Sequence, residues 1–438
     1  MTTEAKFVTA GCTAGVAAAS LPIIYGTVKN LIPKPLDEND FLHTENGLFT
    51  AANGNVIYLR GFNMNDELFF FKKDGLDDNA SNYDIFAVLE ERFGRYGARK
   101  LIGSYNESFI SGSDIKGVKK LGANCIRLPI RYKNICRKEN CKGDVDFDWM
   151  DAVVEKCRKA GVYVIIDLHS APGFQNNDSA GGKDDNCILF DSSKDAFDAR
   201  NAVVRIWSQI AAHFKDEPAI AAYDLLNRPL NKVADWQDKL ETLNKLYLRT
   251  IKAIRGVGDN HVVILQSAFS ADYLPEFKDI PENIAYGLYL HSHTSFETDA
   301  LISSIRSKKP LKIPFIISKI RADENIDYTL TALCDNGISW LIGDYKGSGA
   351  RSSYLYAGEA EYIDFDTDDY DKMTEKWSKP LATKNFEKNE ELAKTLKSSF
   401  RYGTVRIEKE PEKKNPVFKK FGMGKYTVVG KNKIKDAE

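Results

Sequence analysis

Cysteine, histidine and net charge are all scarce in this chain of 438 residues, which has 7 Cys, 6 His and a formal net charge of -1. Seven cysteines are too few and too dispersed to staple a small disulfide scaffold. Cys136 and Cys141 lie five apart with no second close pair, so the spacing of a tetrahedral zinc site is missing. Two free thiols on a surface loop are the expected state there, with a local disulfide as the alternative. The balanced charge excludes a body that tracks a nucleic-acid backbone, because such a surface needs a cationic excess to displace counterions. No nucleic-acid partner is expected. No period of roughly 20 to 50 residues recurs, which excludes a solenoid, and 30 Gly with 14 Pro are ordinary for this length. No G-x-G-x-x-G follows the first strand-like run, so no dinucleotide cradle and no cofactor is expected.

What is present begins with an uncharged run. From Phe7 to Val28 no side chain is charged, and Lys6 and Lys29 bracket the stretch. Its length at 1.5 Å per residue gives about 33 Å of helix, enough to cross a bilayer core of roughly 30 Å. Gly11 and Gly15 add a small-xxx-small step suited to helix contact in lipid. Residues 1–30 are therefore expected to form a retained membrane helix. A cleaved secretory signal and a buried core helix are the alternatives.

Residues 31–400 carry the main structural signal, in which short aliphatic or β-branched runs alternate with longer amphipathic stretches. The runs are Val56 to Gly61, Cys125 to Pro129, Val162 to His169, Ile220 to Asn227, Val262 to Gln266, Ile284 to His291, Phe315 to Ser318 and Ile338 to Asp344. Between them lie helical patterns such as MDAVVEKCRKAG and ARNAVVRIWSQIAAHF. Eight near-continuous apolar strands followed by helices predict an α/β fold, a (β/α)8 TIM barrel, since both faces of every strand are buried.

In such barrels the chemistry sits where strands end. The second run ends with Arg127, the third with Asp167 and His169, and the fourth with Asn227 and Arg228. The sixth ends with His291 and His293, the seventh with Lys319, and the eighth with Trp340 and Asp344. In order, the blocks NGNVIYLRGFN, LGANCIRLPI, AGVYVIIDLHSAPGFQN, DEPAIAAYDLLNRP, PFIIS and NGISWLIGDYKG resemble glycoside hydrolase family 5, the retaining β-glycosidases that include cellulases and exo-β-1,3-glucanases. The resemblance runs from about Asp40 to Phe400. It implies a barrel and a sugar-binding mouth, in which Arg127, His169 and Asn227 fall at positions that orient the nucleophile and bind hydroxyls.

The departures from that family pattern carry the functional expectation. Its members place a Glu acid/base after the Asn of strand four and a Glu nucleophile at the end of strand seven. Here those positions hold Arg228 and Lys319. The family often has a second Trp on strand eight, and Gly343 stands near that place; a His-x-Tyr on strand six is replaced by His291-Ser292-His293. No catalytic residue is therefore expected, and the pocket of Arg127, His169, Asn227, Arg228, His291, His293, Lys319, Trp340 and Asp344 is read as vestigial. Asp344 is expected to pair with Lys319, since a buried cation needs a counter-charge. One of Asp167, Asp224 and Asp344 acting with His169 as a base is the competing reading. His291 and His293 share a strand face but lack a third ligand, so no metal is expected.

The tail from Arg406 to Glu438 has ten basic and five acidic residues and little apolar periodicity, which predicts a basic extension over 401–438 without order of its own. Together these features suggest a non-enzymatic docking subunit of a membrane-associated protein assembly, in the mitochondrial inner membrane or the secretory and extracellular space. The alternatives are an anion- or oligosaccharide-binding module and a β-glucosidase or glucanase with displaced catalytic residues. Asn79, Asn106 and Asn177 each begin a glycosylation triplet, which suits the secretory option.

Overall fold

The computed structural model describes residues 34–64 and 81–400, with short breaks at 139–140, 179–180, 182, 184, 291–293, 323, 348–352, 358–362 and 379–380, and the two strands at 407–409 and 426–428. The apolar run from Phe7 to Val28 lies outside the described residues. Among those described, no helix is long and apolar enough to cross a membrane.

The chain enters through an antiparallel hairpin, β1 (Leu42–Glu45) and β2 (Leu48–Ala51). Asn46 and Gly47 join its strands with φ of 53° and 80°, the pair of left-handed residues that a tight hairpin turn demands. Eight parallel strands follow and close into a barrel: β3 (Arg60–Asn63), β4 (Cys125–Arg131), β5 (Tyr163–Ser170), β6 (Ile220–Asp224), β7 (Val262–Gln266), β8 (Ile284–Leu290), β9 (Phe315–Ile320) and β10 (Ser339–Ile342). Trp340 of β10 pairs with Arg60 of β3 to complete the circle. The first barrel strand starts four residues later than its apolar run. Ile57 and Leu59 are instead drawn, with Leu42 and Phe49 of the hairpin, into the cluster that fills the bottom of the barrel around Ile165, Ile264 and Ile316. A bottom plugged with side chains leaves the other end as the open mouth.

The helices are α1 (Asn82–Phe109), α2 (Gly112–Leu121), α3 (Tyr132–Ile135), α4 (Asp148–Ala160), α5 (Lys194–Phe214), α6 (Trp236–Gly256), α7 (Ser295–Ser307), α8 (Ile326–Asp335), α9 (Tyr370–Ser378) and α10 (Glu390–Ser399). The two periodic stretches read from sequence are found in α4 and α5, and α4 stops at Gly161 in the left-handed conformation. The β7–β8 connection carries no helix. Helix α1 is an insertion between β3 and α2. Ser81 and Asp84 start it with reciprocal backbone-to-side-chain bonds of 2.9 and 3.3 Å, and its second half packs Tyr105 against Trp377 of α9.

A small sheet of β11 (Lys346–Gly347), β12 (Leu355–Tyr356) and β13 (Glu387–Lys388) follows the barrel, and β14 (Ile407–Lys409) pairs antiparallel with β15 (Tyr426–Val428). The expectation of an extension without order is thus corrected at these six residues, where backbone pairing supplies the partners. Cys136 and Cys141 are disulfide-bonded rather than free. A backbone bridge between Cys136 and Val145 and a bond from Cys141 N to Lys138 O bend the loop so that the two thiols meet.

Candidate active site at the barrel mouth

Alternation along each strand sends every second side chain into the barrel, and above the apolar plug β4, β5 and β6 each place one charged side chain there, Arg127, Asp167 and Asp224. The Arg127 guanidinium donates from Nε to Asp224 at 2.9 Å and lies 2.8 Å from both Asp167 and Asp224 through its second nitrogen. All three are fully buried. Two carboxylates share one cation here. Burial, with the neighbouring Asp167 charge, pushes the Asp224 carboxyl up to about 7.

Around this triad stand residues that sequence reasoning missed. Gln266 donates to Asp224 and to Ser318 Oγ, both at 2.7 Å, and Asn63 donates to Ser318 O at 2.9 Å. The Tyr289 hydroxyl donates to Asn227 Oδ1. Gln175 and Asn176 donate to the main-chain oxygens of Asn227 and Arg228 and hold the turn after β6 in place. Their signal was the polar Gln-Asn pair just after the third apolar run.

Of the residues named from sequence, the structure brings His169, Asn227, Arg228, Lys319 and Asp344 to the C-terminal ends of the strands, with Arg127, from the first half of β4, against Asp167 and Asp224. His169 Nδ1 lies 2.6 Å from Asp167, a contact that fixes an imidazole's orientation. Asn227 is 1% exposed, and its amide nitrogen has no hydrogen-bond partner among the described residues. Lys319 Nζ lies 3.1 Å from Asp344, and Arg228 lies 3.2 Å from Asp178. Each of the two cations thus has an internal carboxylate against it. Arg228 and Asp344 both take left-handed φ, 46° and 38°, a conformation that costs non-glycine residues energy and clusters at functional sites.

Trp340 is not a pocket residue. It points outward, fully buried, and stacks on Phe400 with centroids 5.2 Å apart, because its register on β10 is out of phase with the inward positions. His291 and His293 lie outside the described residues. Among the described residues, no group of three His, Cys, Asp or Glu is arranged to hold a metal ion.

The family model for cellulase, glycosyl hydrolase family 5, matches residues 91–386, more than half of the chain. The chain belongs to glycosyl hydrolase family 5. A β-xylosidase of Phanerodontia chrysosporium is 30% identical over 59% of this chain and 54% of its own length. A glucan 1,3-β-glucosidase of Candida oleophila is 28% identical over 46% of this chain and 47% of its own. The chain thus spans about half the length of these curated relatives. A solved endogalactoceramidase structure superposes with a TM-score of 0.51 and 19% identity, over 69% of this chain and 74% of that one, a likeness of fold. These relatives correct the expectation of a non-enzyme: both are named as glycosidases. Nothing in the comparisons supports a docking subunit.

Proposed function

We propose that the barrel mouth hydrolyses β-glucosides or β-xylosides through displaced carboxylates, with Asp344 and Asp178 taking over from the family's two glutamates. The observation that carries this reading is that both strand-end cations have a carboxylate against them, the half-buried Asp344 3.1 Å from Lys319 and the buried Asp178 3.2 Å from Arg228. Nitrogen occupies the positions where the family resemblance puts oxygen, yet oxygen is still within reach of both.

Arg228 and Lys319 cannot do the glutamates' work themselves. Retaining hydrolysis needs one carboxyl to protonate the leaving oxygen and another to form the glycosyl ester. A guanidinium does not surrender its proton, and an ammonium has no oxygen for the ester. Asp344 is assigned the side of the sugar facing β9 and β10, where it stabilises positive charge at the reacting carbon. Asp178 is assigned the leaving-group side after β6. The Asn227 amide nitrogen, which has no hydrogen-bond partner among the described residues, supplies a donor for a sugar hydroxyl. The disulfide at Cys136 and Cys141 suits the oxidising secretory compartment.

Turnover is expected to fall below that of a site with two glutamates. A cation about 5 Å from the oxocarbenium-like centre costs about 3 kcal/mol at an effective dielectric near 20. The full chain is expected to release 4-nitrophenol from the aryl β-D-glucoside or the aryl β-D-xyloside faster than buffer does, and aryl α-glycosides should stay intact. Release at the buffer rate from both β-substrates would contradict the assignment.

A further inference from the structure

A cavity of about 770 Å³ lies outside the barrel mouth, behind the end of β4, between the second half of α1, α3 and the start of α4. Its volume falls in the range of roughly 300 to 1,000 Å³ typical of small-molecule sites. The wall owes its form to the insertion helix. Gly94, with φ of 67° and ψ of 164°, breaks α1. Beyond the break, Ala98, Leu101 and Tyr105 are buried in the core, while Arg95, Tyr96, Arg99 and Lys100 line the cavity.

We propose that this cavity binds a sugar carboxylate, a hexuronic acid unit of a glycan. The charge is the first reason. Five cations, Arg95, Arg99, Lys100, Arg131 and Arg137, line the space against three carboxylates, Glu107, Asp146 and Asp148, and Glu90 from outside the lining pairs with Arg95 at 3.1 Å, which leaves the cations in excess by one. Asp146 is divided between Arg99 and Arg137, the latter at 3.9 Å. Lys100 has no carboxylate partner among the described residues and lies 5.7 Å from the ring centre of Tyr96. A buried or half-enclosed cationic excess of this kind is suited to an anion.

The second reason separates a sugar from a bare anion. Tyr96 is 73% exposed at the rim, and the Trp149 indole Nε1 is shielded from solvent without a hydrogen-bond partner among the described residues. An aromatic face and an unused N–H donor fit a hydroxylated ring better than an inorganic ion, which would leave most of the volume unfilled. The helix is open at its middle. A Cβ added at Gly103 would meet nothing within 4 Å, so the space continues down to the α1 backbone.

The site stands apart from the mouth, and its test is independent of hydrolysis there. Titration of the full chain with methyl β-D-glucuronide is expected to saturate, with an affinity at least tenfold above that for methyl β-D-glucoside or inorganic phosphate. Lys100→Glu, which reverses the charge, and Gly103→Phe, which fills the space from a helical position, are each expected to weaken it tenfold or more. Aryl β-glycoside turnover should be unchanged in both variants. Failure to saturate, phosphate binding as tightly as the glucuronide, or full affinity in Lys100→Glu would overturn the assignment.

Discussion

Lys319→Glu is expected to raise kcat/KM on aryl β-glucosides by at least a hundredfold. The substitution exchanges a cation for an anion beside the carbon that becomes positive. At about 5 Å and an effective dielectric near 20, each charge is worth about 3 kcal/mol, so the full reversal approaches about 6 kcal/mol, or roughly four orders of magnitude. A smaller gain is expected because the new carboxylate comes to lie beside Asp344, now 3.1 Å from Lys319 Nζ. Two carboxylates sharing a site cannot both ionise freely, and one of them holds its proton to higher pH. The acid limb of the pH–rate profile should therefore move up with the gain. The shorter side chain also fits the local space. Gly343 is packed so closely that an added Cβ would lie 2.9 Å from Lys319 Cε and 3.0 Å from Ile320 O, which leaves no room for a larger residue while Lys319 is in place. An unchanged kcat/KM would show that Lys319 is not next to the reacting carbon.

Arg127→Ala is expected to lower unfolding free energy by roughly 3 to 5 kcal/mol, the usual result of removing one partner from a buried ion pair. The cause is the pair left behind: Asp167 and Asp224, both fully buried, would face each other without the cation that now bonds to both. The loss should depend on pH with a definite sign. Asp224 binds its proton more tightly folded, up to about 7 against an ordinary 3.8, chiefly through burial. Between those values the native state holds more protons than the unfolded one, so stability present at low pH is lost as pH rises through the window. Without Arg127 the proton is held more tightly still, and the window extends upward. Urea unfolding at pH 5 and pH 8 is expected to show the larger loss at pH 8. Equal losses at both would remove Asp224 as their source.

The barrel was legible in the sequence because a strand buried on both faces leaves an unbroken apolar run, and all eight runs became barrel strands. Register within them was harder to read. Trp340 stands two residues before Ile342 on a short strand, and only the pairing with Arg60 and Ile317 shows that it points away from the mouth. The first strand was placed early because Ile57 and Leu59 look like strand residues and serve instead as a plug. Pairing of Lys319 with Asp344 could be foreseen from the need for a counter-charge. Pairing of Arg228 with Asp178 could not, because Asp178 lies in the loop after β5, fifty residues away along the chain, and no periodic signal marks it. Gln266 and Tyr289 were hidden for another reason: each sits in an apolar run, and only its inward phase makes it polar floor rather than core.

Hydrolysis through Asp344 is decided most directly by the steady-state kinetics of Asp344→Asn, a change that keeps the side-chain shape and removes the charge. Loss of a positioned catalytic carboxylate is worth about a hundredfold or more, so kcat/KM on the aryl β-glucoside or β-xyloside should fall by at least that factor while the unfolding free energy stays within about 1 kcal/mol of wild type. Unchanged turnover in Asp344→Asn would contradict it.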